Sequence, residues 1–255
     1  MDDVKLKKII YNTYNYLREY KRHIVWFSCG AASAIMSKIV REEVYGSQLV
    51  YCDTGGEHPD NEIFLNDVEV WLDTKVKRLQ NYKYENHFDV IRKTRYVNGK
   101  AGARCTVELK KKLRFEFQLP DDVKYFGYTI EEKHRAERFT EAYPEVDARF
   151  PLIEKGLTKE ECVGLLLKNN IKIPTMYALG FNNNNCIPCV KGGAGYFNKI
   201  RKFFPEKFNQ MAKLEREVGA SCLNGVYLDE LDPKAGRHKD LIIQCDFVCQ
   251  SMEEL

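Results

Sequence analysis

The chain has 255 residues, 44% hydrophobic and 30% charged, with nine cysteines and a formal net charge of +3. That balance belongs to a globular protein long enough to bury a sizeable core, and so small a charge does not by itself imply nucleic acid. No apolar run approaches the roughly 20 residues of a membrane span, and residues 1–8 lack the apolar core of a signal peptide; a cytoplasmic protein with no membrane partner is expected, its cysteines metal-binding or catalytic rather than disulfide-bonded.

Residues 4–20 read as a helix with Val4, Ile9 and Leu17 on a mixed apolar face and lysines on a solvated one. The organising stretch follows. Ile24-Val25-Trp26-Phe27 is an apolar, β-branched and aromatic run. Ser28-Cys29-Gly30-Ala31-Ala32-Ser33 is uniformly small. Ile35, Ile39 and Val40 then fall on one helical face. This predicts a buried strand, a tight turn and a helix N-terminus. Such an N-terminus presents backbone N–H groups and the positive end of the helix dipole, which suits an anion. Ser28 and Ser33 add hydroxyls. Alone, the pattern is equally that of an ordinary strand-to-helix turn.

Leu49-Val50-Tyr51-Cys52 predicts a second strand. Asp53-Thr54-Gly55-Gly56 is an acidic, glycine-rich loop, with Asp53 alternatively an Asx-turn residue. A helix is predicted over 60–72 and a third strand over 75–79. Alternating strands and helices imply an α/β fold: a doubly wound, mostly parallel sheet flanked by helices, with ligands at the C-terminal strand ends. Residues 82–112 are polar and basic, with Lys110, Lys111 and Lys112 unable to share one helix face. Val123 to Tyr128 is a further strand, and Gly127 at its end permits close approach of a ligand. Arg135 falls one to two turns into the next helix, suited to a phosphate or sulfate or simply to solvent. Thr158 and Glu161 form a capping-box pattern. Cys186-Ile187-Pro188-Cys189 matches a metal knuckle, and the helical segment after it bends near Pro205. Cys52 and Cys162 fit core positions. Cys222 carries no signal. Cys245 and Cys249 lie in the tail. Two regions are expected: a nucleotide-binding α/β domain over 1–180 and a helical, cysteine-containing region over 181–255.

Taken in order, these segments resemble the phosphoadenosine-phosphosulfate (PAPS) reductase family of the adenine-nucleotide α-hydrolase, or PP-loop, superfamily. Ser28 to Ser33 stands where the family has Ser-Gly-Gly-Lys-Asp-Ser. Asp53-Thr54-Gly55 matches its Asp-Thr-Gly. Cys105-Thr106-Val107-Glu108-Leu109-Lys110 is similar to Cys-Thr-x-x-Leu-Lys. Gly127 through Arg135 is similar to its substrate segment, and Cys186-x-x-Cys189 ends the series. The resemblance implies an adenine nucleotide at the sheet edge. Its phosphates would lie on Ser28, Cys29, Gly30, Ala31, Ala32 and Ser33, with Gly127 close by. Asp53, Thr54 and Gly55 would lie near ribose or adenine. Lys110 and Arg135 would face the reacting group, and Cys105 would be a substrate-facing thiol or a cluster ligand. Cys186, Cys189, Cys245 and Cys249 would hold a [4Fe–4S] cluster or, alternatively, zinc.

Ala31 and Ala32 depart from the family's Lys and Asp, which neutralise charge and bind magnesium when ATP is split. The departure favours an already activated sulfonucleotide and a thiol-dependent oxidoreductase with a thioredoxin-like reductant. The alternatives are an ATP-dependent sulfur transferase acting on nucleic acid, and a nucleotide-binding protein without catalysis.

Overall fold

A computed structural model describes residues 21–100 and 102–237. The predicted helix over 4–20, Cys245 and Cys249 lie outside them. Five strands form one sheet in the order β3-β2-β1-β4-β5: β1 (His23–Phe27), β2 (Gln48–Asp53), β3 (Lys77–Gln80), β4 (Val123–Phe126) and β5 (Ala148–Arg149). Every pairing is parallel. Val25 of β1 sits in register with Leu49 of β2 on one side and Tyr125 of β4 on the other. The central strand is thus apolar on both faces, as the continuous run Ile24 to Phe27 demands. Strand β3 falls at 77–80 rather than the predicted 75–79. It is an edge strand with little burial, so pairing with β2, not an apolar pattern, fixes its limits.

Helix α1 (Ala31–Glu43) follows β1, and α2 (Asn61–Trp71) follows β2. Their apolar sides pack on one sheet face with Val25, Phe27, Leu49 and Tyr51. Ile24, Trp26, Val50, Cys52 and Phe126 point to the other face, the alternation that a period-two strand imposes. Helix α3 (His87–Thr94) begins at Asn86, whose side chain accepts from the Phe88 and Asp89 N–H groups. A helical stretch then runs through α4 (Arg104–Thr106), a π-helical turn (Val107–Lys111) and α5 (Lys112–Phe117). It carries Cys105, Lys110 and Arg114 toward the sheet edge.

Beyond β4 come α6 (Lys133–Ala142), α7 (Pro151–Glu154), α8 (Lys159–Lys168) and α9 (Thr175–Ala178). The capping box forms as the sequence predicts: the Thr158 N–H donates to Glu161 at 2.7 Å and the Glu161 N–H to the Thr158 hydroxyl at 3.1 Å. Helices α10 (Ala194–Phe203) and α11 (Pro205–Val218) meet at the bend expected near Pro205. They build a second apolar cluster around Phe181, Phe197, Ile200 and Met211. It is not confined to 181–255, since Phe88, Ile91, Val97 and Ala103 belong to it. No helix among the described residues is long and apolar enough to cross a membrane.

The chain order reverses between β1 and β4, both of which lie beside each other although β2 follows β1 in sequence. In a doubly wound sheet the crevice for a ligand opens at that switch point. Ser28 directly follows β1, and Gly127 directly follows β4. A Cβ on Gly127 would lie 3.0 Å from the Ser33 Cα, so only glycine lets this strand end close against the turn.

Candidate active site

The Ser28–Ser33 turn is held from within. The Ser33 hydroxyl receives the N–H groups of Ser28 at 3.1 Å and Gly30 at 3.2 Å and donates to the Gly30 carbonyl at 2.9 Å. The Ala31 N–H donates to the Tyr177 hydroxyl at 3.3 Å. Cys29 has φ 53°, a left-handed conformation uncommon for a residue with a side chain. The Asn184 amide donates to the Cys29 carbonyl at 2.6 Å and fixes that peptide. Burial pushes the Cys29 thiol far up and Glu57 adds to it, so this cysteine stays a protonated core residue. Ala31 is likewise fully buried.

A cavity of about 180 Å³ opens at the switch point, lined by Ser28, Ser33, Lys110, Arg114, Phe126 and Gly127 among others. A larger one of about 500 Å³ lies beside it, lined by Thr54, Cys105, Lys110, Arg135, Cys186 and Cys189 among others. Lys110 belongs to both. Its amine lies 3.8 Å from Glu57, whose side chain is 7% exposed. Burial pulls the Lys110 pKa down, but Glu57 and then Cys186 outweigh it and hold the ammonium charged.

The sequence-derived residues divide. Ser28, Ser33 and Gly127 meet Lys110 in the smaller cavity, and Thr54, Cys105 and Arg135 meet it in the larger. Asp53 and Gly55 line neither. The Asp53 carboxylate accepts the Gly55 N–H at 2.9 Å, the Asx-turn role. Gly55 has φ 61° and its Cβ position lies 2.1 Å from the Glu85 carbonyl, so its glycine is explained by the turn alone. Arg135 is ion-paired with Glu132 and lies over the Tyr128 ring.

Thr54 donates to Glu57 and lies 3.0 Å from the Cys186 sulfur, tying the second strand loop to the cysteine loop. The Cys189 N–H donates to the Tyr196 hydroxyl at 2.7 Å. Burial pushes the Cys186 thiol far up, followed by Glu57. Burial, then Cys189, also raises Cys105, while Lys191 and Lys110 pull it back. Among the described residues no three His, Cys, Asp or Glu side chains converge to hold a metal ion. Cys186 and Cys189, two of the four predicted metal ligands, both line the larger cavity; the other two, Cys245 and Cys249, lie outside the described residues.

Arg114 is the cleft residue that motif reading passes over. Its signal is a second cation four residues after Lys110 in the basic helical run.

No protein-family model and no curated protein sequence matches the chain. Solved structures do. The crystal structure of phosphoadenylyl-sulfate (PAPS) reductase from Candida auris, a phosphate complex, matches with a TM-score of 0.50 over 67% of this chain and 83% of that one, at 10% identity.

This chain has a PAPS reductase-like fold. Identity at that level speaks to architecture, and the likeness of fold agrees with the ordered motifs from Ser28 to Cys189. The α/β class and the doubly wound parallel sheet expected from the alternation of strands and helices are those of the molecule.

Proposed function

We propose that this chain binds an adenine sulfonucleotide in the paired cavities and carries out thiol-dependent reduction of its sulfur. The observation that carries the reading is the position of Lys110 on the common wall of the phosphate-turn cavity and the cysteine-lined cavity. A phosphosulfate bridging the two would put its phosphate against Ser28 and Ser33 and its sulfate toward Cys105. The smaller cavity, at about 180 Å³, is below the roughly 300–1,000 Å³ of whole-ligand pockets, so it takes the phosphate end and leaves the remainder of the nucleotide to the adjoining space.

In the reaction proposed, the Cys105 thiolate attacks sulfur. An S–S bond forms, the S–O bond to the phosphate breaks, and the adenosine phosphate leaves with that electron pair. A dithiol reductant of the thioredoxin type then attacks the sulfur of Cys105, expels sulfite and ends as a disulfide. Lys110 stabilises charge on the leaving phosphate. Arg135 sits at the larger cavity as a second cation for the sulfate. Cys186 and Cys189 would be two ligands of a [4Fe–4S] cluster or zinc, whose contribution is to order the cysteine loop beside the substrate. The buried Ala31, standing where ATP-splitting relatives in the resembled superfamily carry lysine, supports a substrate that arrives already activated.

Incubation with adenosine phosphosulfate, its 3′-phosphorylated form or ATP tests the reading, with a dithiol reductant present. Sulfite and an adenosine phosphate from a sulfonucleotide are expected. Release of pyrophosphate from ATP, with no sulfite from either sulfonucleotide, overturns it in favour of sulfur transfer.

A further inference from the structure

The phosphate turn has no positive side chain of its own: residues 28–33 contain neither lysine nor arginine. Nor is there space for one at position 31, because Ala31 is 0% exposed and its N–H is already bonded to Tyr177. Two backbone donors of the turn, the Ser28 and Gly30 N–H groups, are spent internally on Ser33. A doubly or triply charged ligand group held there needs its counter-charge from across the cleft.

Arg114 stands at that place. It lies on α5, in the same helical run as Lys110, and lines the same cavity as Ser28, Ser33 and Gly127. Its guanidinium carbon is 4.7 Å from the centroid of Trp26 and 5.0 Å from that of Phe126. Those rings are register partners on β1 and β4, so the cation lies over the switch point itself. The rings hold the guanidinium plane without consuming its N–H donors. Elsewhere Arg22 pairs with Asp122, Arg78 with Glu62 and Arg104 with Glu108. Among the described residues Arg114 has cation–π contacts and no carboxylate partner. Lys110, its neighbour, is engaged by Glu57. The Ser28 hydroxyl donates to that of Ser33 at 3.1 Å and the Ser33 hydroxyl to the Gly30 carbonyl, so the guanidinium, stacked and with open donors on the wall of the same cavity, is the group there best placed to meet a tetrahedral oxyanion.

We infer that Arg114 binds the phosphate of the ligand held at the Ser28–Ser33 turn and supplies the positive charge that Ala31 does not. The inference deepens the nucleotide reading and rests on it for the identity of the ligand. Arg114 acts as a specificity residue: it selects a charged nucleotide over the neutral nucleoside.

Calorimetric titration of the full chain with AMP, adenosine and inorganic phosphate separates the two ideas. Arg114→Gln is expected to weaken AMP binding about 10- to 100-fold, the effect of losing a charge-assisted hydrogen-bonded pair. Adenosine binding should stay within about twofold, and the salt dependence of AMP binding should flatten. If wild type and Arg114→Gln bind AMP equally, the inference is overturned and the nucleotide reading stands. If wild type binds no adenine nucleotide but binds inorganic phosphate in an Arg114-dependent way, the anion site stands and the nucleotide reading falls. If wild type binds neither, both fall. Should Arg114→Gln not fold, Arg114→Met decides: it keeps an apolar stem against Trp26 and Phe126 and loses the charge, so AMP binding about 10- to 100-fold weaker is expected, and unchanged binding overturns the inference.

Discussion

The two sides of the cleft are built on opposite plans. On one side the Ser28–Ser33 turn is closed on itself. Its donors go to Ser33 and Tyr177, its Cys29 carbonyl to Asn184, and its Cys29 and Ala31 are fully buried. On the other side the helical run through Cys105, Lys110 and Arg114 and the loop of Cys186 and Cys189 leave polar groups facing open cavities. The difference teaches a division of labour. The turn contributes shape and hydroxyls and is nearly all scaffold. The charged side chains and the thiols of the proposed chemistry lie on the facing wall, so substitutions on the two sides should fail in different ways.

The largest effect is expected at the reactive wall. Cys105→Ser should lower sulfite release from a sulfonucleotide on the order of 10³-fold or more, because an alcohol replaces the attacking sulfur. Nucleotide binding and the thermal midpoint should change little, since Cys105 is only partly buried at the rim of the second apolar cluster. Assay of sulfite beside a thermal melt checks both halves. A Cys105→Ser protein with normal turnover would remove the nucleophile from this wall.

The turn should fail through stability instead. Ala31→Lys restores the residue of the resembled family motif, yet here it forces an ammonium into a site with 0% exposure. Overpacking and an uncompensated buried charge should cost about 3 kcal/mol or more. Urea unfolding measures it. A neutral outcome, or a gain of ATP cleavage, would show that the turn is not the closed scaffold it is taken for.

These two sites also mark what could be read from sequence. Four of the five strands, the turn and the capping box at Thr158 are legible because each depends on neighbours a few residues away, whereas the two-residue β5, Ala148–Arg149, is too short to leave a pattern and exists only through its pairing with β4. The fold class followed from alternation alone. Arg114 was not legible, because its meaning depends on Trp26 and Phe126 lying side by side, and their pairing joins strands 100 positions apart in the chain. The Thr54 to Cys186 contact, across 132 positions, is of the same kind. Asp53 illustrates the reverse. Its motif was visible, but the side chain is occupied by the local Asx turn with Gly55.

A pH profile sharpens the reactive side further. Burial, and then Cys189, raise the Cys105 thiol, so at neutral pH it is mostly protonated. Raising pH toward its pKa increases the thiolate fraction, and kcat/KM for the sulfonucleotide should climb by about tenfold per pH unit. Lowering pH below neutral should reduce it along the same slope. A flat profile across pH 6 to 8 would mean that the attacking group is not this raised thiol.

The finest contrast is between two tyrosines that play one role on the two sides. Tyr177 receives the Ala31 N–H at 3.3 Å in the turn, and Tyr196 receives the Cys189 N–H at 2.7 Å in the cysteine loop. Removing either hydroxyl deprives a buried or half-buried N–H of its acceptor, a loss of about 1–2 kcal/mol. The turn has Ser33 and Asn184 as further ties, so Tyr177→Phe should lower the unfolding free energy by about 1 kcal/mol and leave turnover nearly intact. The cysteine loop lines the cavity of the proposed reaction, so the same deletion there should appear in kcat. Tyr196→Phe is expected to reduce kcat by about three- to tenfold, the kinetic counterpart of a lost hydrogen bond, with the melting point shifted no more than in Tyr177→Phe. If instead both variants lose stability and neither loses rate, the cysteine loop is as much a scaffold as the turn.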